Sequence, residues 1–86
     1  METRFSPGDW VVYGRPYKVE VGVIKRITVS GHGEAAFVYF GEGDTAAHVP
    51  FRLLQRIEDP KEIVEPIRNN HALEALRKKR EEIHNV

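Results

Sequence analysis

The runs PGDWVVY at residues 7–13, GVIKRI at 22–27, FVYFGEG at 37–43 and VPFRLL at 49–54 decide the fold. Val, Ile and aromatic residues occur here in short runs, and clusters rich in Gly and Pro separate them. Runs of this kind between turn residues are typical of β-strands. The pattern predicts five strands, at about residues 10–13, 21–29, 35–40, 45–49 and 54–57.

Three details refine this prediction. Ile24 and Ile27 are three positions apart, which does not fit the period of two in a regular strand, so the second strand should bend or carry a bulge between them. Residues 41–44, Gly-Glu-Gly-Asp, predict a tight turn before the fourth strand. Residues 51–53 predict a short 3₁₀ turn, and five such strands can close into a barrel.

The chain changes character after Ile57, where Glu, Lys, Arg, Ala and Leu replace the β-branched residues. Asp59, Pro60 and Glu62 occupy the capping, first and third positions of a predicted helix at about 60–65, which Pro66 ends. Asn69 and the residue after it are expected to cap a second helix at about 71–84. The predicted organisation is therefore a barrel at residues 1–58 and a helical extension at 59–86, either part of the same domain or a docked appendage.

The second helix has a narrow apolar stripe formed by Leu73, Leu76 and Ile83. Three roles are open for this stripe. It can pack on the chain's own barrel, pair with a second copy to form a homo-oligomer, or dock on another protein.

Composition limits the class of protein. A chain of 86 residues without cysteine is a small single domain with neither a disulfide framework nor a thiolate metal site, which suits a cytoplasmic location. The start of the chain lacks the apolar run of a signal peptide, and no segment has the roughly 20 apolar residues that a membrane span needs, so we expect no membrane partner. The 13 basic and 13 acidic residues balance, which argues against strong nucleic-acid binding but leaves a local basic patch open.

The four quoted runs resemble the SH3-like small barrels of the Tudor, KOW and CarD-type RNA-polymerase-interacting group, over residues 5–58. The resemblance implies a mainly β fold, with a five-stranded SH3-like barrel of Tudor/KOW type and a C-terminal helical extension. It also implies a non-catalytic binding or adaptor module that acts through protein–protein interaction, with a link to transcription or nucleic-acid-associated complexes.

Two candidate surfaces follow from the resemblance. In Tudor-like domains an aromatic cage at one rim holds a methylated side chain by cation–π attraction, which implies a cage position for Phe40 with Tyr13 or Tyr17 opposite. The resemblance to KOW and CarD-type barrels implies docking to RNA polymerase or ribonucleoprotein through a strand edge or the loops, and the basic residues near the first two strands indicate a patch that faces phosphates or an acidic protein. The candidate aromatic rim consists of Tyr13, Tyr17, Tyr39 and Phe40, and the candidate basic patch of Arg15, Lys18, Lys25 and Arg26.

The sequence offers little for catalysis. The four histidines lack the spacing of metal ligands, and no thiol accompanies them. Ser6 and Ser30 lie in predicted turns, where a hydroxyl normally bonds the local backbone. We therefore expect no metal site, no cofactor and no enzymatic activity. The alternative is a small homo-oligomeric barrel enzyme with a shared central pore, similar to the plasmid-type dihydrofolate reductases, although their Val-Gln-Ile-Tyr strand motif has no counterpart here.

Overall fold

The computed structural model describes residues 5–15 and 18–84, with Arg15 described by its backbone alone. It is mainly β, as predicted, with a five-stranded antiparallel sheet followed by a C-terminal helix. The strands are β1 (Trp10–Arg15), β2 (Lys18–Ser30), β3 (Gly33–Tyr39), β4 (Ala47–Pro50) and β5 (Leu54–Ile57), the helix is α1 (Leu73–His84), and 3₁₀ turns lie at Phe51–Leu53, Pro60–Glu62 and Asn70–Ala72.

The long strand β2 organises the sheet, in which the strands follow the order β4-β3-β2-β1-β5. The first part of β2 pairs with β1 and the second part with β3. The register shifts between Ile24 and Arg26, so that Lys25 is the extra residue of a bulge. This confirms the predicted irregularity between Ile24 and Ile27, and it bends β2 from one partner strand to the other.

Two apolar clusters lie on opposite faces of the sheet because successive strand residues point to opposite sides. The inner cluster gathers around Val11, Ile24 and Val38, with the rings of Phe5 and Phe51 in edge contact at 4.7 Å. The outer cluster joins Trp10 and neighbouring valines of β1 and β2 to Leu76 of α1, and its buried members are Trp10, Val12, Val21, Val23 and Leu76.

The turn before β1 fixes the start of the sheet. The amide of Gly8 donates to the carbonyl of Ile24 at 2.8 Å, and that of Asp9 donates to Ser6 at 3.0 Å. Gly8 has a φ of 89° and a Cβ there would overlap the ring of His84. Only glycine takes this conformation at little cost, so Gly8 is needed both for the turn and for the close approach of His84 in α1.

The first residues of β2 pair with β1 on one side, and β3 does not reach their other side. A segment just before α1 covers this unpaired edge. The amide of Val19 donates to Pro66 at 3.2 Å, and the amide of Arg68 donates back to Val19 at 2.8 Å. Next to them, the side chain of Asn69 accepts from the amide of Val21 at 2.9 Å and donates to its carbonyl at 2.6 Å. The carboxamide of Asn69 thus substitutes for the peptide group of a neighbouring strand.

The structure corrects several predicted boundaries. Asn69 precedes the 3₁₀ turn at Asn70–Ala72 without a side-chain capping bond, since its carboxamide is engaged with β2. The short helix predicted at 60–65 is one 3₁₀ turn, Pro60–Glu62, although the Asp59 side chain accepts from the Lys61 amide at 2.8 Å as a cap should. Residues 41–44 bend within a longer connection, and β4 begins at Ala47 instead of 45.

The apolar stripe of α1 faces the sheet. Leu76 is completely buried, and Leu73 and Ile83 pack beside it as half-buried members of the outer cluster. Arg80 on the same helix donates from Nε to the carbonyl of Gly8 at 2.8 Å. In the part of the chain that is described, no helix is long and apolar enough to cross a membrane.

Candidate functional site

A groove with a volume of about 260 Å³ opens between the end of β1, the start of β2 and strand β4. The rings of Tyr13 and Phe40 form one wall, with centroids 6.4 Å apart in an edge-to-face arrangement at 66°. Both residues are half-buried, so each presents part of its ring to the opening. The other lining residues are Glu20, Ala47, His48, Val49, Pro50 and Leu53.

The sheet and Asn69 hold the aromatic wall in place. Tyr13 is paired with Glu20 of β2 on one side and with Leu54 of β5 on the other. Phe40 directly follows β3, and its carbonyl accepts from Asn69 Nδ2 at 2.5 Å. The ring of Phe40 lies over Gly22, where a Cβ would come within 2.9 Å of it. The absence of a side chain at Gly22 therefore creates the space that Phe40 occupies.

Glu20 gives the groove its charge. Its side chain lies across from Tyr13 and is half-buried. Among the described residues no ion pair involves Glu20. A carboxylate beside two aromatic faces favours a ligand group that is positively charged or that donates hydrogen bonds.

The groove also has an exposed apolar margin. Leu53 keeps 43% of its surface accessible. Val49 and Pro50 of β4 continue the apolar lining. A partner that covers this margin would gain the free energy of removing apolar surface from water.

The structure divides the predicted aromatic rim. Tyr13 and Phe40 meet in the groove, whereas Tyr39 lies on the opposite face, where it packs with the outer cluster. The ammonium groups of Lys25 and Lys79 lie 5.6 and 4.9 Å from the centroid of the Tyr39 ring. Tyr17 lies outside the described residues. Consecutive strand residues cannot share a face, which is why Tyr39 and Phe40 separate.

The predicted basic patch is also divided. Lys18 is exposed at the start of β2, opposite the backbone of Arg15, whose side chain is outside the description. Lys25 and Arg26 lie at the bulge, roughly 20 Å further along the strand at 3.3 Å per residue. The four residues therefore do not form one surface.

A row of planar side chains on the outer face of the sheet was not predicted from the sequence. The guanidinium of Arg26 lies 4.3 Å from the centroid of the Phe37 ring, and the ring of His48 lies 5.0 Å from Phe37 on the other neighbouring strand. The register of β2, β3 and β4 places these three residues side by side. The alternation along β3 was the available signal, because it places Phe37 on the face opposite to that of the core residues Ala36 and Val38.

Glu20 and Leu53 were also missed as lining residues of the groove, and Asn69 was missed as the residue that holds the backbone of Phe40. The antiparallel register that pairs Arg15 with Lys18 brings Tyr13 opposite Glu20, so a hairpin assignment would have found Glu20. No local signal marks Asn69, since its partners Val21 and Phe40 are distant in sequence.

Arg56, which lies away from the groove, has a perturbed pKa. A hydrogen bond to Glu58, with the charges of Glu58 and Asp9, raises the pKa of the exposed Arg56 guanidinium. Arg56 bridges Asp9 at 3.2 Å and Glu58 at 2.9 Å, so it ties the turn before β1 to the end of β5. Over residues 5–15 and 18–84, no three His, Asp or Glu side chains are grouped to hold a metal ion.

Comparisons with family models, with curated proteins and with solved structures found no match for this chain. The geometry of the groove and of the sheet is therefore the basis on which a function can be proposed.

Proposed function

We propose that this chain is a non-catalytic binding module, with an SH3-like barrel whose Tyr13–Phe40 groove receives a segment of a partner protein. The strand order β4-β3-β2-β1-β5, the bulged and bent β2 and the 3₁₀ turn Phe51–Leu53 support the barrel assignment. A long bent second strand is typical of that class. The lack of cysteine in the chain fits a reducing cytoplasm as its location.

The observation that carries the proposal is the composition of the groove. It combines two aromatic ring faces, a carboxylate without an ion-pair partner among the described residues, and an apolar margin with Leu53 43% exposed. Aromatic anchors with a few placed polar groups are the usual features of recognition sites. The groove is therefore suited to an extended segment with one apolar side chain next to a Lys or Arg.

The position of Glu20 determines which charge the partner segment should carry. A Lys or Arg side chain next to Tyr13 and Phe40 would meet the ring faces and the Glu20 carboxylate together. An acidic side chain there would be repelled by Glu20. A partner segment should therefore be basic near its apolar anchor.

A display library of random peptides tests this proposal without knowledge of the natural partner. We expect selection on the wild-type chain to enrich peptides that join an aliphatic residue to a nearby Lys or Arg. Fluorescence polarisation then measures one enriched peptide against Glu20→Gln and Leu53→Ser, and each substitution should weaken binding about five-fold or more, equivalent to about 1 kcal/mol.

Val64→Ser is the matched control for Leu53→Ser, because Val64 is 97% exposed and lies outside the groove. It removes a comparable exposed apolar group and should leave the affinity unchanged. The proposal fails if enriched peptides bind Glu20→Gln and Leu53→Ser as tightly as the wild type, or if selection yields acidic peptides.

A further inference from the structure

The outer sheet face has a second surface, which α1 covers only at one end and which shares only His48 with the lining of the groove. We call it the basic aromatic strip and define it by Lys25, Arg26, Phe37, Tyr39 and His48. At one end Tyr39 packs with the outer cluster under α1, whereas Phe37 belongs to neither apolar cluster. Lys25, Arg26 and His48 are exposed, and Phe37 and Tyr39 are half-buried.

The strip contains the same kind of contact twice, a cationic group above an aromatic ring. Lys25 Nζ lies over the ring of Tyr39 at 5.6 Å, and the guanidinium of Arg26 lies over the ring of Phe37 at 4.3 Å. The imidazole of His48 continues the row 5.0 Å from Phe37, and its Nε2 lies 3.3 Å from Thr28 Oγ1. Planar groups on β2, β3 and β4 are thus held side by side at the spacing of neighbouring strands, about 4.8 Å.

The cationic groups of the strip have no acidic partner among the residues described. The ion pairs of the described residues involve other cations, namely Arg56, Arg77 and Lys79. Contacts with aromatic rings orient Lys25 and Arg26 but leave their charges unneutralised. Two oriented cations next to planar rings are complementary to an anionic ligand that also has planar groups.

We propose that the basic aromatic strip binds single-stranded nucleic acid, with phosphates at Lys25 and Arg26 and bases stacked on the planar groups of Arg26 and His48. Bases stack on guanidinium and aromatic planes in single-strand recognition, while basic side chains follow the backbone. The strip spans two strand spacings, about 10 Å, so it can contact only a few consecutive nucleotides. An acidic peptide would use the charges and leave the planes without a partner.

Because the chain has no net charge, this binding depends on a few local phosphate contacts. Two phosphate contacts predict a slope of log affinity against log salt of about −1.4, from about −0.7 per contact on a single strand. The binding should therefore be weak and best observed at low salt. The residues substituted in its test, Lys25, Arg26 and Phe37, do not line the Tyr13–Phe40 groove, so the two proposals can fail separately.

Fluorescence anisotropy with a labelled single-stranded oligothymidine of about 12 nucleotides tests the strip, at salt concentrations from about 20 to 200 mM. Phe37→Leu keeps apolar bulk but removes the ring that orients Arg26, and Arg26→Lys keeps the charge but removes the plane. Each should weaken binding about five-fold or more, the lower limit for one stacked base. Lys25→Gln should reduce the magnitude of the salt slope by about 0.7.

Lys61→Gln is the matched charge control, because Lys61 is exposed on the turn after β5, at the other end of the sheet order from β4. It should bind oligothymidine like the wild type. Since Lys25 and Arg26 are exposed, their variants should fold even if Phe37→Leu does not.

Four results would overturn the proposal. One is no binding by the wild type at the lowest salt, and another is an equal loss of affinity with Lys61→Gln and Arg26→Lys. The third is equal affinity for a duplex of the same length, which has no free bases to stack. The fourth is displacement of oligothymidine by polyglutamate at equal charge concentration, which would assign the strip to acidic proteins.

Discussion

Replacing Asn69 by Ala should destabilise the chain strongly, because this side chain completes the hydrogen bonding of β2. Asn69 is 6% exposed and binds both backbone groups of Val21 as well as the carbonyl of Phe40. Val21 is completely buried, so water does not readily replace the lost partner. The substitution therefore leaves a buried N–H donor and a buried carbonyl without hydrogen bonds.

The size of the effect follows from those two groups. Each unsatisfied buried polar group costs about 1–2 kcal/mol, and the half-buried carbonyl of Phe40 can rebind water at little cost. The free energy of unfolding should fall by about 2–4 kcal/mol, a large part of the roughly 4–13 kcal/mol expected for a domain of this length. The melting temperature should fall by about 10 °C or more.

Urea unfolding followed by the fluorescence of Trp10, the single tryptophan, measures this change. Trp10 reports on the sheet and α1 together because it lies in the outer cluster. Asn70→Ala is the matched control, since Asn70 is the exposed neighbour of Asn69 and its loss should change stability by less than about 0.5 kcal/mol. A loss below about 1 kcal/mol for Asn69→Ala, or equal effects of the two substitutions, would refute the role of Asn69.

Gly8→Ala should lower the free energy of unfolding by about 1–2 kcal/mol, because φ at Gly8 is 89° and an alanine Cβ would overlap the ring of His84. Gly43→Ala, with open space around it and no positive φ, should change it by less than about 0.5 kcal/mol in the same thermal or urea titration; equal effects would contradict the argument. We also expect the chain to be a monomer of 9.9 kDa by light scattering, since Leu76 is buried within its own fold. A dimer mass would instead support pairing of α1 with a second copy.

Local sequence patterns predicted the parts of the fold that depend on neighbouring residues. Ile24 and Ile27 break the period of two, and the structure places a bulge between them. The fifth strand has the predicted bounds, Leu54–Ile57. Asp59 and Pro60 start a 3₁₀ turn with the expected capping bond. In each case the cause is confined to a few consecutive residues.

Features that depend on distant contacts were not predicted. The pattern around Asn69 is that of a helix cap, and only the nearness of β2 draws its carboxamide away from the helix. Tyr39 and Phe40 are adjacent in sequence, but the sheet sends them to opposite faces, where α1 covers one and the groove exposes the other. Which face a helix covers depends on the whole packing, and residue spacing alone does not give it.

The docking of residues 66–69 on β2 has a consequence for the chain during synthesis. Val21 and Asn69 are 48 positions apart, so β2 is translated well before the segment that satisfies its edge. Until Asn69 leaves the ribosome, the nascent sheet carries unpaired backbone groups at Val19 and Val21, and such edges pair readily with other chains. The slow step of productive folding should therefore be the arrival of this segment, and truncation before Pro66 should yield aggregates.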